Sequence, residues 1–304
     1  MSSCLDYILG LLFCKGKKTC PNMAEFLETT HDKVYRCLKV VNAVDWLQSF
    51  LLSMARKIAE RSEESFFIID DTSLTKRFAR LIEGVAYIYD SALGRSERSL
   101  SIVVLMWSNG NIRIPIGFKF WFTKELIETE KYQRKTDIAR ELIRKFYTKI
   151  RCDFLLMDGL YSDIEMLSFL DDGPLAYVAK FHKHRVVTTE DGIKAPVQHH
   201  RRLKLKRNQH TRTATVTWHG IKLYITTVKR IEEGNISIIY LVSNVSLRPA
   251  EYHRRYNLRW AIEVAFRTKK QRLGIAHCLM RKIELQKAHV YCVLPPMLFC
   301  NMNV

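Results

Sequence analysis

Two apolar runs that read as buried strands end in acids. The run from Ser65 to Asp71 (SFFIIDD) stops at Asp70 and Asp71, and the run from Cys152 to Asp158 (CDFLLMD) stops at Asp158. A strand ending in an acid delivers a carboxylate to the rim of a sheet, where side chains distant in sequence converge. A third acid, Glu263, stands alone among Arg254, Arg255, Arg259, Arg267, Lys269, Lys270, Arg272, Arg281 and Lys282. Tyr256, Arg259, Glu263, Phe266 and Lys270 are spaced three, four, three and four apart, which is one face of a helix. Glu263 has two readings. It is half of an exposed ion pair with Arg259, worth about 0.3–0.5 kcal/mol, or it is the third carboxylate of a site. Carboxylates from two strand ends and a helix can hold two hard cations about 3.5–4 Å apart, which activate a water or hydroxyl and stabilise a leaving oxygen in phosphodiester cleavage. Such oxygen ligands favour Mg2+ or Mn2+; His182, His184, His199 and His200 are the nearest alternative, a nitrogen-ligated ion.

The elements that must position these groups follow from pattern. Residues 23–60 read as helices, with Thr30 a candidate cap for a helix that turns Val34, Leu38 and Val41 inward. This is a helix-turn-helix with Lys33, Arg36 and Lys39 facing DNA, or a plain helical hairpin packed on the core. Strands are expected over Gly84–Tyr89, Ser99–Trp107 and Ile112–Phe120, the last two joined by a hairpin at Asn109 and Gly110. A helix over Tyr132–Lys149, the strand ending at Asp158, a helix starting near Ser162 and a strand over Leu175–Lys180 come next. Thr213–Trp218, Ile221–Val228 and Ile236–Val242 are expected strands of an insertion. One helix runs from Pro249 to Leu273, stopped by Gly274, and another from Ile283 to Val293, before Pro295. The fold class is α/β, a mixed sheet with flanking helices. The expected organisation is a helical region over 1–62, the first part of a catalytic core over 63–182, a β-rich insertion subdomain over 183–247 and C-terminal core helices over 248–304.

Composition agrees with a folded, nucleic-acid-facing chain. Of 304 residues 47% are hydrophobic, and 49 Lys and Arg against 31 Asp and Glu give a formal charge of +18, which favours a polyanionic partner. Arg201, Arg202, Lys204, Lys206, Arg207 and Arg212 form a second basic run with no acid in it, either a solvated loop or a surface for the DNA backbone. The eight cysteines show no framework spacing and read as reduced thiols, and the apolar stretch Tyr7–Phe13 is too short to span a bilayer, so no membrane role is expected.

The segment Tyr256-x2-Arg259-x3-Glu263-x6-Lys270 resembles the Tyr-Arg-Glu-Lys signature of bacterial insertion-sequence transposases of the Asp-Asp-Glu class. Asp70-Asp71-Thr72-Ser73-Leu74 is similar to that family's first motif and Asp158-Gly159-Leu160-Tyr161-Ser162 to its second, so the resemblance covers residues 65–275. It implies a ribonuclease-H-like catalytic fold in which Asp70, Asp158 and Glu263 bind two divalent ions, Mg2+ or Mn2+. It implies that Tyr256, Arg259, Arg267, Lys269 and Lys270 contact phosphates of double-stranded DNA, both the terminal inverted repeats and the target. A homodimer in the DNA complex and a cytoplasmic, nucleoid-associated location are further implications. Alignment on Thr72 and alternation with Phe66 and Ile68 point to Asp70 as first ligand, with Asp71 the alternative. Trp218 and Tyr224 in the insertion either stack on a flipped base or pack in the sheet, whereas Trp107, Trp121 and Phe118 read as packing. The activity implied is cut-and-paste transposition. The rivals are a nuclease of the same fold that does not join strands, and an inactive or truncated DNA-binding remnant, since the tail after Lys270 is short.

Overall fold

The computed structural model describes residues 2–39, 41–90, 94–232 and 235–295, with the side chains of 2–4, 41–44, 232, 268 and 269 outside that description. The helices are α1 (Ser2–Phe13), α2 (Cys20–Phe26), α3 (His31–Leu38), α4 (Val41–Ala59), α5 (Lys135–Phe146), α6 (Ile164–Asp171), α7 (Pro249–Leu258), α8 (Trp260–Gln271) and α9 (Ile283–Val293). The strands are β1 (Phe66–Thr75), β2 (Ala86–Asp90), β3 (Arg95–Ser108), β4 (Arg113–Trp121), β5 (Phe154–Met157), β6 (Ala176–Lys180), β7 (Val186–Thr189), β8 (Lys194–Pro196), β9 (Thr211–Trp218), β10 (Ile221–Glu232) and β11 (Asn235–Ser243). Two compact units result. One holds Met1–Glu63, Asp71–Arg151 and Ile262–Val304; the other holds Glu64–Asp70 and Cys152–Ala261. β1 and α8 each contribute residues to both units.

In the first unit β2, β3 and β4 form an antiparallel meander with one bulge, between Leu105 and Met106. The expected hairpin is present. Gly110 takes φ +94°, which a side chain would disfavour, and the Asn109 carboxamide oxygen accepts the amides of Asn111 and Ile112 at 3.1 and 2.8 Å. α5 lies on β3 and β4 through Ile138, Ala139, Leu142, Ile143 and Phe146, two interleaved i, i+4 rows. Each of the large side chains contributes about 1.5–3 kcal/mol on burial. The helix starts three residues later than expected because the Asp137 carboxylate accepts the Arg134 amide at 2.7 Å, capping it there.

The N-terminal helices have helix-turn-helix connectivity, with residues 27–30 joining α2 to α3. Val34, Cys37 and Leu38 are buried while Lys33, Arg36 and Lys39 are exposed, as the spacing predicts; the Val41 side chain lies outside the described residues. Thr30 occupies the cap position without a side-chain cap hydrogen bond. α1 is tied to α9 by the Tyr7 hydroxyl, 2.7 Å from His289 Nδ1, whose Nε2 lies 3.1 Å from the Gly274 carbonyl. Burial holds His289 down to about 3, so its neutral ring accepts from Tyr7 and donates to Gly274.

The second unit is built on parallel strands. β1 pairs with β5 and β5 with β6 in parallel, then β11, β10, β9, β7 and β8 continue the sheet in antiparallel order. Parallel β1 and β5 are apolar on both faces (Phe66, Phe67, Ile68, Ile69; Leu155, Leu156, Met157, all 1% exposed or less), as strands covered on both sides must be. Residues 183–247 join this sheet through β11 on β6, with Leu241 opposite Lys180, and they carry β7 and β8 beyond the three strands expected. The mixed sheet with flanking helices is the α/β architecture expected of a ribonuclease-H-like domain. One expectation fails: residues 249–273 are two helices, α7 and α8, because the Arg259 amide bonds Tyr256 O at 3.0 Å, an i→i−3 turn that interrupts the α ladder.

Candidate active site

The last parallel register pairs are Ile69 with Met157 on β1 and β5, and Met157 with Ala179 on β5 and β6. One residue further, Asp70, Asp158 and Lys180 therefore stand in a row across three adjacent strand ends. Neighbouring strands are about 4.8 Å apart and register partners point to the same face, so the two carboxylates are side by side with an ammonium next to them. Asp71 faces the other way. Its carboxylate is 2.5 Å from Lys135 Nζ on α5, both side chains about one-fifth exposed, so strand alternation separates the two acids that sequence left as alternatives.

α7 is fastened over this row. Arg254 makes a two-pronged contact with Glu64 at 3.0 and 3.1 Å, and Arg255 both pairs with Glu64 at 3.1 Å and stacks 3.6 Å from the ring centre of Phe154. These contacts hold the helix to the starts of β1 and β5. At the C-terminal end of the helix Tyr256 donates its hydroxyl to Asp158 Oδ1 at 3.2 Å, and Arg259 Nη1 donates to Asp70 Oδ2 at 3.0 Å. Burial, with the Asp158 charge, pushes the Tyr256 phenol well up despite Arg259 pulling it down, which keeps the donating proton in place. The side chains of Arg259 and Asp70 are only 12% and 17% exposed, so this is a largely desolvated pair.

Behind Asp158 the chain turns sharply through Gly159. A Cβ there would sit 3.1 Å from the His182 ring, and His182 Nε2 lies 3.0 Å from Gly159 O. His200 Nε2 lies 3.1 Å from Ile193 O. Both histidines thus place one ring nitrogen on a backbone carbonyl. In front of Asp158 opens a groove of about 800 Å³, with Lys180, Lys229, Arg230, His253, Tyr256 and Arg259 in its walls. One carboxylate facing that many cations suits an anionic polymer led to an acidic point. Lys180, Lys229 and Arg230 were not picked out from the sequence, although Lys180 ends a buried strand just as Asp158 does.

The other expected site residues lie on α8. Glu263 is half-buried in its first turn, in the unit that does not contain Asp70 and Asp158. Arg267 is exposed and the side chain of Lys269 lies outside the described residues. Lys270 is half-buried; burial lowers its ammonium pKa, opposed by the charges of Asp90 and Asp71. In the basic run, Arg201 and Arg202 contact Asp191 at 3.3 and 3.0 Å, so part of that charge is answered within the protein. Trp218 is a packing residue: it meets Phe181 edge-on at 5.2 Å and carries the Arg185 guanidinium 4.8 Å over its ring.

Asp70 and Asp158 offer carboxylate oxygen, the ligand type that hard divalent cations take, while among the described residues no group of three or more His, Cys, Asp or Glu is placed to hold a metal ion. A comparison with curated proteins finds no match. A family described as DDE superfamily endonuclease matches residues 1–233, a span that includes Asp70, Asp158 and Lys180 and stops short of Glu263. The chain belongs to the DDE superfamily endonuclease family.

Proposed function

We propose that this protein is the transposase of a bacterial insertion sequence, which cuts DNA at the element's terminal inverted repeats and joins the freed 3'-hydroxyl to target DNA. The observation that carries the reading is the row of Asp70, Asp158 and Lys180 at adjacent parallel strand ends, with Asp158 and Lys180 lining a basic groove. Asp70 and Asp158, with Glu263 as the third acid of the Tyr-Arg-Glu-Lys segment, would hold two Mg2+ or Mn2+ ions. When bound, those ions lower the pKa of the attacking water or hydroxyl and neutralise the leaving oxygen. The protein's own groups do the rest. Lys180, Lys229 and Arg230 neutralise the phosphates of a strand lying in the groove, while Arg267, Lys269 and Lys270 hold the flanking backbone.

Arg259 has a second task in this reading. Two adjacent carboxylates repel, and its guanidinium balances Asp70; a cation held there would supply that positive charge, and Arg259 would then be available to hold a phosphate. Tyr256 keeps one oxygen of Asp158 fixed, leaving the carboxylate's orientation set by a hydrogen bond that does not depend on metal. Holding two element ends together calls for a homodimer on the DNA, in the bacterial cytoplasm with the nucleoid.

The test is a labelled duplex carrying the element ends, incubated with Mg2+ or Mn2+. Wild type is expected to nick and join, and Glu263→Gln and Asp158→Asn to bind without doing either. Binding with no cutting by wild type would overturn the reading. The family's description as an endonuclease favours one other outcome, cleavage without joined products, which would make the protein a nuclease of the same fold.

A further inference from the structure

On the first unit, the chain leaving β1 and the turn after α8 line a second cavity of about 600 Å³. Lys17, Lys76, Arg80 and Arg281 stand in its walls, together with Phe78, and no Asp or Glu lines it. Among the described residues none of these four cations has a carboxylate partner. Lys76 is the most unusual of them. It is 4% exposed, and its ammonium donates to the carbonyls of Ala276 and Cys278 at 2.8 and 2.6 Å, two of its three hydrogens. A buried ammonium with no counter-charge is costly, and it is retained where an anion comes to it. The local field agrees: His277, also in the wall, is held below its usual pKa by burial and then by the charges of Lys76, Lys17 and Lys18, and burial brings Lys76 itself down to about 8.

The second half of the cavity is apolar and open. Phe78 is 90% exposed, a whole ring offered to solvent beside Arg80, with Leu279 at 67% close by. Cations without a carboxylate partner next to an exposed aromatic ring suit a phosphate joined to a stacking base. Inside a duplex a base has no free face to stack, so the occupant is an unpaired nucleotide.

We propose that this cavity is a second nucleic-acid site that captures an unpaired nucleotide of single-stranded DNA, Phe78 stacking on the base and Lys76, Arg80 and Arg281 holding its phosphates. It rests on the reading that the protein works on DNA, and its test does not require cleavage. Fluorescence anisotropy with a labelled oligothymidylate and with a blunt duplex is measured on the full chain, for wild type, Phe78→Ala and Arg80→Gln; both side chains are exposed, so neither change should disturb folding. Phe78→Ala is expected to bind the single strand roughly five- to 100-fold more weakly, as loss of one stacked base does, with duplex affinity unchanged. Arg80→Gln is expected to lower the salt slope for the single strand by about 0.7. Unchanged single-strand affinity in Phe78→Ala, or an equal loss for duplex, would overturn the proposal. So would a loss confined to a labelled oligoglutamate probe, which would make the cavity a site for acidic peptides. If the duplex binds and is cut normally while the single-strand effect is missing, only this proposal fails; if neither DNA binds, the DNA-processing reading fails with it.

Discussion

The Asp70–Arg259 pair gives the sharpest test of how the site is assembled. Replacing Arg259 with Gln keeps a hydrogen-bonding side chain and removes the charge. With the partners 17% and 12% exposed, Asp70 is left as a largely buried carboxylate beside Asp158. Removing one partner of a fully buried pair costs about 3–5 kcal/mol; with this much water contact the cost falls to about 2–3 kcal/mol, a melting temperature lowered by roughly 4–12 °C in a domain of 150–250 residues. Divalent ions then behave differently in the two proteins. In wild type a cation must displace Arg259 or share Asp70 with it, whereas in Arg259→Gln it meets two unbalanced acids. Added Mg2+ or Mn2+ should therefore raise the melting temperature of the variant more than that of wild type, and bind it more tightly by calorimetry. The double variant Asp70→Asn, Arg259→Gln should recover part of the lost stability, since both charges are gone. A variant that melts with wild type, or equal metal stabilisation of both, would refute Arg259 as the counter-charge of Asp70.

Two further outcomes follow from other pairs. Asp71→Asn should keep cleavage activity and lose about 1 kcal/mol in denaturant melts, because Asp71 serves the partly exposed contact with Lys135; loss of cleavage with unchanged folding would return Asp71 to the site. Lys76→Met should change the pH dependence of stability. Burial lowers Lys76 from 10.5 to about 8, so between those values the unfolded chain carries more protons and wild type gains stability as pH rises, by about 1 kcal/mol from pH 7 to 9. Lys76→Met lacks that term and also removes the Lys76 charge that opposes the rise of the Cys278 thiol, while Cys20, pushed up to about 11 with no contribution from Lys76, titrates in both proteins and cancels in the difference. A stability gap between the two proteins that does not move with pH would show that the ammonium is not buried as described.

The parts of the fold that were legible in the sequence are those set by local chemistry. The two-residue period of a strand puts Asp70 on the face of Phe66 and Ile68 and Asp71 on the opposite one. The Asn109 and Gly110 turn, the stop at Gly274 (φ +61°) and α9 at Ile283–Val293 rest on residue types with strong backbone preferences. One local signal was present and passed over. Asp191 followed by Gly192, at φ +76°, turns β7 into β8, but the cations around it made the segment read as an open loop.

The roles of Tyr256 and Arg259 were not legible, for a physical reason. Sequence spacing tells which face of a helix a residue occupies, and not what lies opposite that face. Basic residues beside acids read equally well as grips on phosphate or as counter-charges, and here the partners are the two strand-end aspartates. Helix spacing also fails at a single i→i−3 step: the turn at Arg259 divides residues 249–273 into α7 and α8, where the spacing predicts one uninterrupted helix. Lys180 was missed because a strand-end rule applied to acids alone ignores the cation. A phosphodiester needs both signs of charge within a few ångströms, so the same rule extended to the third strand leads from two carboxylates to the ammonium beside them.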